Sequence, residues 1–188
     1  MSNKQYDYID FSSFNELTQN RALTEKLIFE YQDIFNDPSL WDEEYRYCDI
    51  LKNLQHQLSG DAELHVCIDT EDKNKVLGFC WAQVLSRGEI IKSIESVQHY
   101  QSLGSPEVDQ ILEDSFGEGP VIYLHELGIS RDNRGKVSLQ QLILPTLINL
   151  AKRTGIDQIF FWSIEDARIH RLAKRAGHKL VADVNGMQ

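Results

Sequence analysis

Apolar and polar positions along this chain alternate with two periods, and the period tells helix from strand. Leu23, Leu27, Ile28, Tyr31 and Ile34 recur at helical spacing, predicting a helix from about Asn15 or Asn20 to Phe35. A short strand is expected before it, within residues 6–14. Asn36-Asp37-Pro38-Ser39 breaks the pattern, and a second helix is predicted from about Leu40 to Leu58, ended by Ser59-Gly60. The period then drops to two. Leu64, Val66 and Ile68 alternate with His65, Cys67 and Asp69, and after a turn at 70–75 the run Val76–Leu85 is almost wholly apolar. Gly78 inside that run signals a bulge or a close backbone approach.

Residues 86–120 are less regular, with helix candidates near Ile90–Tyr100 and Pro106–Ser115. So long a stretch between strands reads as a lid or binding loop, or as a solvated helical excursion. Order returns with a strand over 121–130. A helix follows in which Leu139, Leu142, Ile143, Thr146 and Leu150 share a stripe, with Pro145 expected to kink it or remove one hydrogen bond. A buried strand at Gln158–Ser163, a helix from Asp166 to Ala176 and a last strand from His178 to Val184 complete the prediction.

The 188 residues are read as one domain, long enough to bury a core. No apolar run approaches the roughly 20 residues of a membrane helix, and the N-terminus has no signal-like stretch. Cys48, Cys67 and Cys80 are scattered, so neither a disulfide framework nor a metal site is expected; a cytoplasmic protein with reduced thiols is. The net charge of −10 makes nucleic acid a poor partner. That charge is split. Residues 1–130 hold 9 basic and 24 acidic side chains, whereas residues 131–188 hold 10 and 5. A basic C-terminal part suits a polyanionic ligand and an acidic remainder suits a cation, although solvated faces of mixed sign would show the same split.

The most specific signal is the strand Ile122–Ser130, the turn Arg131–Lys136 and the helix beginning near Val137. Opening N–H groups of a helix lack internal partners and carry partial positive charge, so Arg134-Gly135-Lys136 beside them makes an anion site. Arg131 joins the phosphate candidates, and Ser138 is placed to cap the helix or to bond a phosphate. A solvated basic turn is the plainer alternative.

This unit resembles the acetyl-CoA motif of the GNAT N-acetyltransferase superfamily. Three more pieces carry the likeness: Val76-Leu-Gly-Phe-Cys-Trp81 resembles the family's third strand, Ile156–Trp162 its fifth, and Ala176-Gly-His-Lys179 the segment after its last helix. The resemblance implies an α/β (α+β) fold, a single GNAT-like domain with a helical insert at 86–120. Its mixed central sheet would be splayed between strands 4 and 5 and flanked by about four helices. It implies acetyl-CoA as co-substrate and an amine acceptor, with pantetheine along the backbone of Leu127, Gly128 and Ile129. The pyrophosphate would lie on the turn from Arg134, Gly135, Lys136 and Val137 to Ser138 and Leu139, and Asp166 joins the cofactor-binding set. Direct attack by the amine needs a base. Glu126, on the fourth strand, matches acids with that role in some family members, and a structural or substrate-binding carboxylate is its alternative. His125 is a second candidate by its intrinsic pKa, or a structural histidine, and strand alternation puts it on the opposite face from Glu126.

The chain departs from the family pattern R-G-x-G-x-G/A, carrying Val137 and Leu139 where small residues are usual, and Ala173 where members often carry a tyrosine that protonates the leaving thiolate. The preferred reading is an acyl-CoA-dependent N-acyltransferase acting on a cationic amine. A GNAT-like module without catalysis is second, and another α/β phosphate binder is last, since the P-loop pattern is absent. A homodimer is compatible with the apolar C-terminal strands.

Overall fold

The computed structural model describes residues 6–36, 44–95, 105–161, 168–175 and 177. Five strands, β1 (Tyr6–Phe11), β2 (Ala62–Asp69), β3 (Val76–Leu85), β4 (Val121–Ile129) and β5 (Ile159–Phe160), lie in the order β1-β2-β3-β4-β5. β1 and β3 flank β2 antiparallel, and β4 and β5 are parallel, so the sheet is mixed as expected. The described residues form seven α-helices: α1 (Phe14–Gln19), α2 (Arg21–Phe35), α3 (Tyr47–Gln57), α4 (Arg87–Glu95), α5 (Ser105–Phe116), α6 (Leu139–Thr154) and α7 (Arg168–Arg175). The chain divides into two compact units, residues 1–83 with 124–155, and residues 84–123 with 156–188.

In the first unit, local chemistry sets the helix ends. The Ser13 hydroxyl accepts from the Glu16 N–H, and the Glu16 carboxylate accepts from the Ser12 N–H at 2.8 Å. Asn20 caps α2 through the Leu23 N–H, which is why one expected helix is two, with the break at Asn20. Leu23, Leu27, Ile28, Tyr31 and Ile34 all face the core as their spacing predicts. They meet Ile50 and Leu54 from α3 and Leu58 at its C-cap, Leu64 and Val66 from β2, and Phe79 and Trp81 from β3. The other face of β2 is covered as well. Glu63 on that face bonds Asn149 and Arg153 of α6. Cover on both faces explains why β2 is buried along seven consecutive residues although its sequence alternates.

Gly78 fulfils both expectations. The pairing of β2 with β3 shifts register where Cys67 faces Gly78 and Ile68 faces Val76. A side chain at Gly78 would stand 3.0 Å from the Gly128 carbonyl oxygen and 3.1 Å from Leu142. Pro145 lies inside an unbroken α6, which ends at Gly155 in the left-handed region.

The second unit has its own small core of Leu85, Ile90, Leu112, Val121 and Tyr123, with Phe116 edge-on to Phe160. Arg87 ties α4 to α5 through Asp109 at 2.8 Å and Glu113 at 3.4 Å. The helix candidates of the 86–120 segment are thus α4, beginning three residues before its expected start, and α5. β5 is two residues long, shorter than its apolar run predicts. Trp41 and Trp162, the acids Asp37, Asp42 and Glu43, the cofactor candidate Asp166 and the expected last strand at 178–184 lie outside the described residues.

Candidate active site

The site is built on residues 124–139 and the elements of the first unit that hold them. Ser130 donates its N–H to the Leu77 carbonyl at 3.0 Å, fixing the end of β4 to β3. A 3-10 turn at Arg131–Asn133 follows. The Asn133 carbonyl then accepts from the N–H groups of both Lys136 and Val137, at 3.0 and 3.1 Å, while its side chain donates to the Ser130 hydroxyl. Gly135 sits at φ +89, where a side chain would be strained though not crowded. The turn is therefore shaped by Asn133 and Gly135 before any ligand arrives.

Within it the three basic side chains part ways. Arg131 bonds the Asp33 carbonyl at 3.0 Å, with the Asp33 carboxylate 3.8 Å away, so it ties the turn to α2. Arg134 and Lys136 are exposed, and among the described residues neither makes an ion pair. Val137 turns inward and is 4% exposed. The branched residue that departs from the family pattern thus fills the core instead of standing over the turn. Leu139 is half-buried at the head of α6. Ser138 occupies the N-cap position without making the side-chain capping bond; its carbonyl accepts from the Gln141 N–H at 3.1 Å, and the N–H groups of Leu139 and Gln140 ahead of it have no partner within the helix. These features fit a pyrophosphate: two cations, a dipole end and uncapped donors.

On β4, Leu127 and Ile129 are half-buried and Gly128 is buried. A Cβ on Gly128 would lie 2.5 Å from Phe79 and 2.9 Å from Ile34. Glycine is needed here by the packing of β3 and α2 on the strand, a reason the sequence does not disclose.

Glu126 is half-buried and accepts a hydrogen bond from the Tyr31 hydroxyl at 2.9 Å. Tyr31 is 3% exposed and its ring is clamped by Phe35 at 4.5 Å, Tyr45 at 5.3 Å, Trp81 at 5.8 Å and Phe79 at 5.9 Å between centroids. By its spacing alone Tyr31 belongs to the apolar stripe of α2. The signal that was available is that a phenol in an aliphatic stripe must find a hydrogen-bond partner.

His125 departs from expectation. Its Nε2 hydrogen bonds Gln83 Oε1 at 3.2 Å, while the Gln83 amide donates to the Ser59 carbonyl at 2.7 Å. Because Oε1 can only accept, Nε2 carries the proton. Gln83 pairs with Ala62, which lines the same core as Leu64 and Trp81, so the simple alternation that put His125 across the strand from Glu126 fails at this step. Burial, helped by His56, lowers its pKa to about 3. His125 is a neutral link between β4 and β3. On α7, Arg171, Lys174 and Arg175 are exposed and Ala173 is half-buried. Among the described residues no His, Cys, Asp and Glu cluster could hold a metal, and no helix is long and apolar enough to cross a membrane.

No protein-family model and no curated protein matches the sequence. Solved structures match along nearly the whole chain. The aminoglycoside N-acetyltransferase AAC(6')-Iy, solved with CoA, aligns at TM-score 0.60 and 12% identity over 97% of this chain and 93% of that one. Arabidopsis thaliana NAA60 with a bisubstrate analogue aligns at 0.57 and 16% over 97% and 92%. The aminoglycoside antibiotic 6'-N-acetyltransferase AAC(6')-Ih of Acinetobacter baumannii aligns at 0.53 and 12% over 95% and 94%. At these identities the likeness is one of fold.

Proposed function

We propose that this chain, which has the fold of the GNAT N-acetyltransferases, is an acyl-CoA-dependent N-acyltransferase, with acetyl-CoA as donor and the amine of a cationic small molecule or peptide as acceptor. The observation that carries the reading is the turn between β4 and α6, preformed by Asn133 and Gly135, with Arg134 and Lys136 exposed and free of ion pairs among the described residues beside the uncapped start of a helix. Three similar structures bear on it by what they were solved with: CoA for AAC(6')-Iy, and a bisubstrate analogue and acetyl-CoA for NAA60.

In the proposed reaction a neutral amine attacks the thioester carbonyl, the carbon–sulfur bond breaks, and the nitrogen gives its proton to Glu126. That proton returns to the thiolate, and CoA leaves as the free thiol. Leu127 to Ile129 would run beside pantetheine, and the residues from Arg134 to Leu139 would hold the pyrophosphate. The acidic excess of residues 1–130 favours a cationic acceptor. The loss of a hydroxyl at Ala173 favours the alternative, a binding module without turnover.

Calorimetric titration with acetyl-CoA tests the reading, with ATP as control. Binding in the micromolar range, about −8 kcal/mol, is expected, weakened roughly tenfold to a hundredfold in Arg134→Ala by loss of a charge-assisted bond. Unchanged affinity in that variant, or no binding by the wild type, refutes the donor site. Binding without acylation of any amine supports the module.

A further inference from the structure

Tyr31 is a buried residue whose hydroxyl reaches the candidate base. Its hydroxyl lies 2.9 Å from Glu126 Oε1, across 95 residues of sequence. The phenol is held from four sides by Phe35, Tyr45, Phe79 and Trp81, and Trp81 is itself tied to α3 through Gln57 at 2.8 Å. A donor on a helix, locked by close-packed rings, is the kind of support that fixes a functional side chain within a fraction of an ångström.

We propose that Tyr31 is the positioning residue of Glu126. It orients the carboxylate and favours its ionised form, so that the base is deprotonated when the amine arrives. This rests on the reading of Glu126 as the base. The chemistry is that of a hydrogen bond to a charged group: donated to the carboxylate, it stabilises the anion against the half-buried surroundings that would otherwise raise its proton affinity. A tyrosine serving only the core would leave Glu126 titrating the same with or without the hydroxyl.

Tyr31→Phe keeps the ring and its stacking and deletes the bond. Two readouts decide. In carboxyl-labelled protein, the Glu126 resonance is assigned by its loss in Glu126→Gln and titrated in wild type and in Tyr31→Phe; its midpoint rises by roughly one pH unit in the variant, about a tenfold gain in proton affinity. In the transferase assay, the acid limb of kcat/KM moves up by the same amount while acetyl-CoA affinity holds. An unchanged midpoint and pH profile in an active, folded variant overturns the Tyr31 proposal and leaves the transferase reading standing. A wild type that neither binds acetyl-CoA nor acylates an amine overturns the transferase reading, and the catalytic purpose of this bond with it. If Tyr31→Phe does not fold, Tyr31→Met, which also removes the donor, takes its place in the carboxyl titration with the same two outcomes.

Discussion

Replacing Arg153 by Ala tests whether α6 is held to the sheet through a buried charge. The Glu63 side chain is 6% exposed and receives Arg153 Nη1 and Asn149 Nδ2, each at 2.9 Å. Arg153 Nη2 also donates to the Ala62 carbonyl at 2.7 Å, and Asp61 lies 3.8 Å from Nε. Without Arg153 the carboxylate keeps one neutral donor and the Ala62 carbonyl loses its side-chain donor. Removing one partner of a buried pair costs about 3–5 kcal/mol. Arg153 is 39% exposed, so water fills part of the gap, and the lower end, about 3 kcal/mol, is expected. For a chain of this size that lowers Tm by roughly 10 °C. Urea unfolding at pH 7 measures it directly. Adding Glu63→Gln to Arg153→Ala removes the stranded charge and recovers more than half of the loss. A single variant within about 1 kcal/mol of wild type, or a double variant no better than the single, refutes the account of Glu63 as a buried, obligatorily paired carboxylate.

Gly128→Ala puts a Cβ 2.5 Å from Phe79 Cζ and costs about 1–3 kcal/mol by overpacking; Phe79→Leu in the same chain recovers part of it, and a neutral Gly128→Ala by urea titration would show that the strand yields freely. His125 contributes to acid lability with a definite sign. Its folded pKa, about 3, lies below its unfolded value, so its contribution is fully present above about pH 6.5 and is lost as pH falls towards 3. Unfolding free energy measured across that window in His125→Gln should fall less steeply, by up to about 1.4 kcal/mol per pH unit, and parallel curves would contradict the burial argument.

Much of the architecture follows from sequence-local physics. The stripe on α2, the alternation in β2, the apolar run of β3 and the Gly155 stop of α6 are each set by neighbours a few residues apart, so they were legible in order and in type. The cation pair Arg134 and Lys136 was legible for the same reason, since a strand, a turn and a helix start are contiguous. What the sequence could not decide depends on groups distant along the chain. Arg131 and Lys136 look alike in one dimension, yet Asp33 on α2 claims the first. Val137 reads as an intrusion on the phosphate turn, and packing turns it into the core. His125 and Glu126 are adjacent and both half-buried, and only the arrival of Gln83 beside one and Tyr31 beside the other gives the first an acceptor for its ring N–H and the second a donor. Local periodicity determines elements because backbone geometry repeats; the protonation and freedom of a side chain are settled by whichever charges, donors and rings the tertiary fold brings against it.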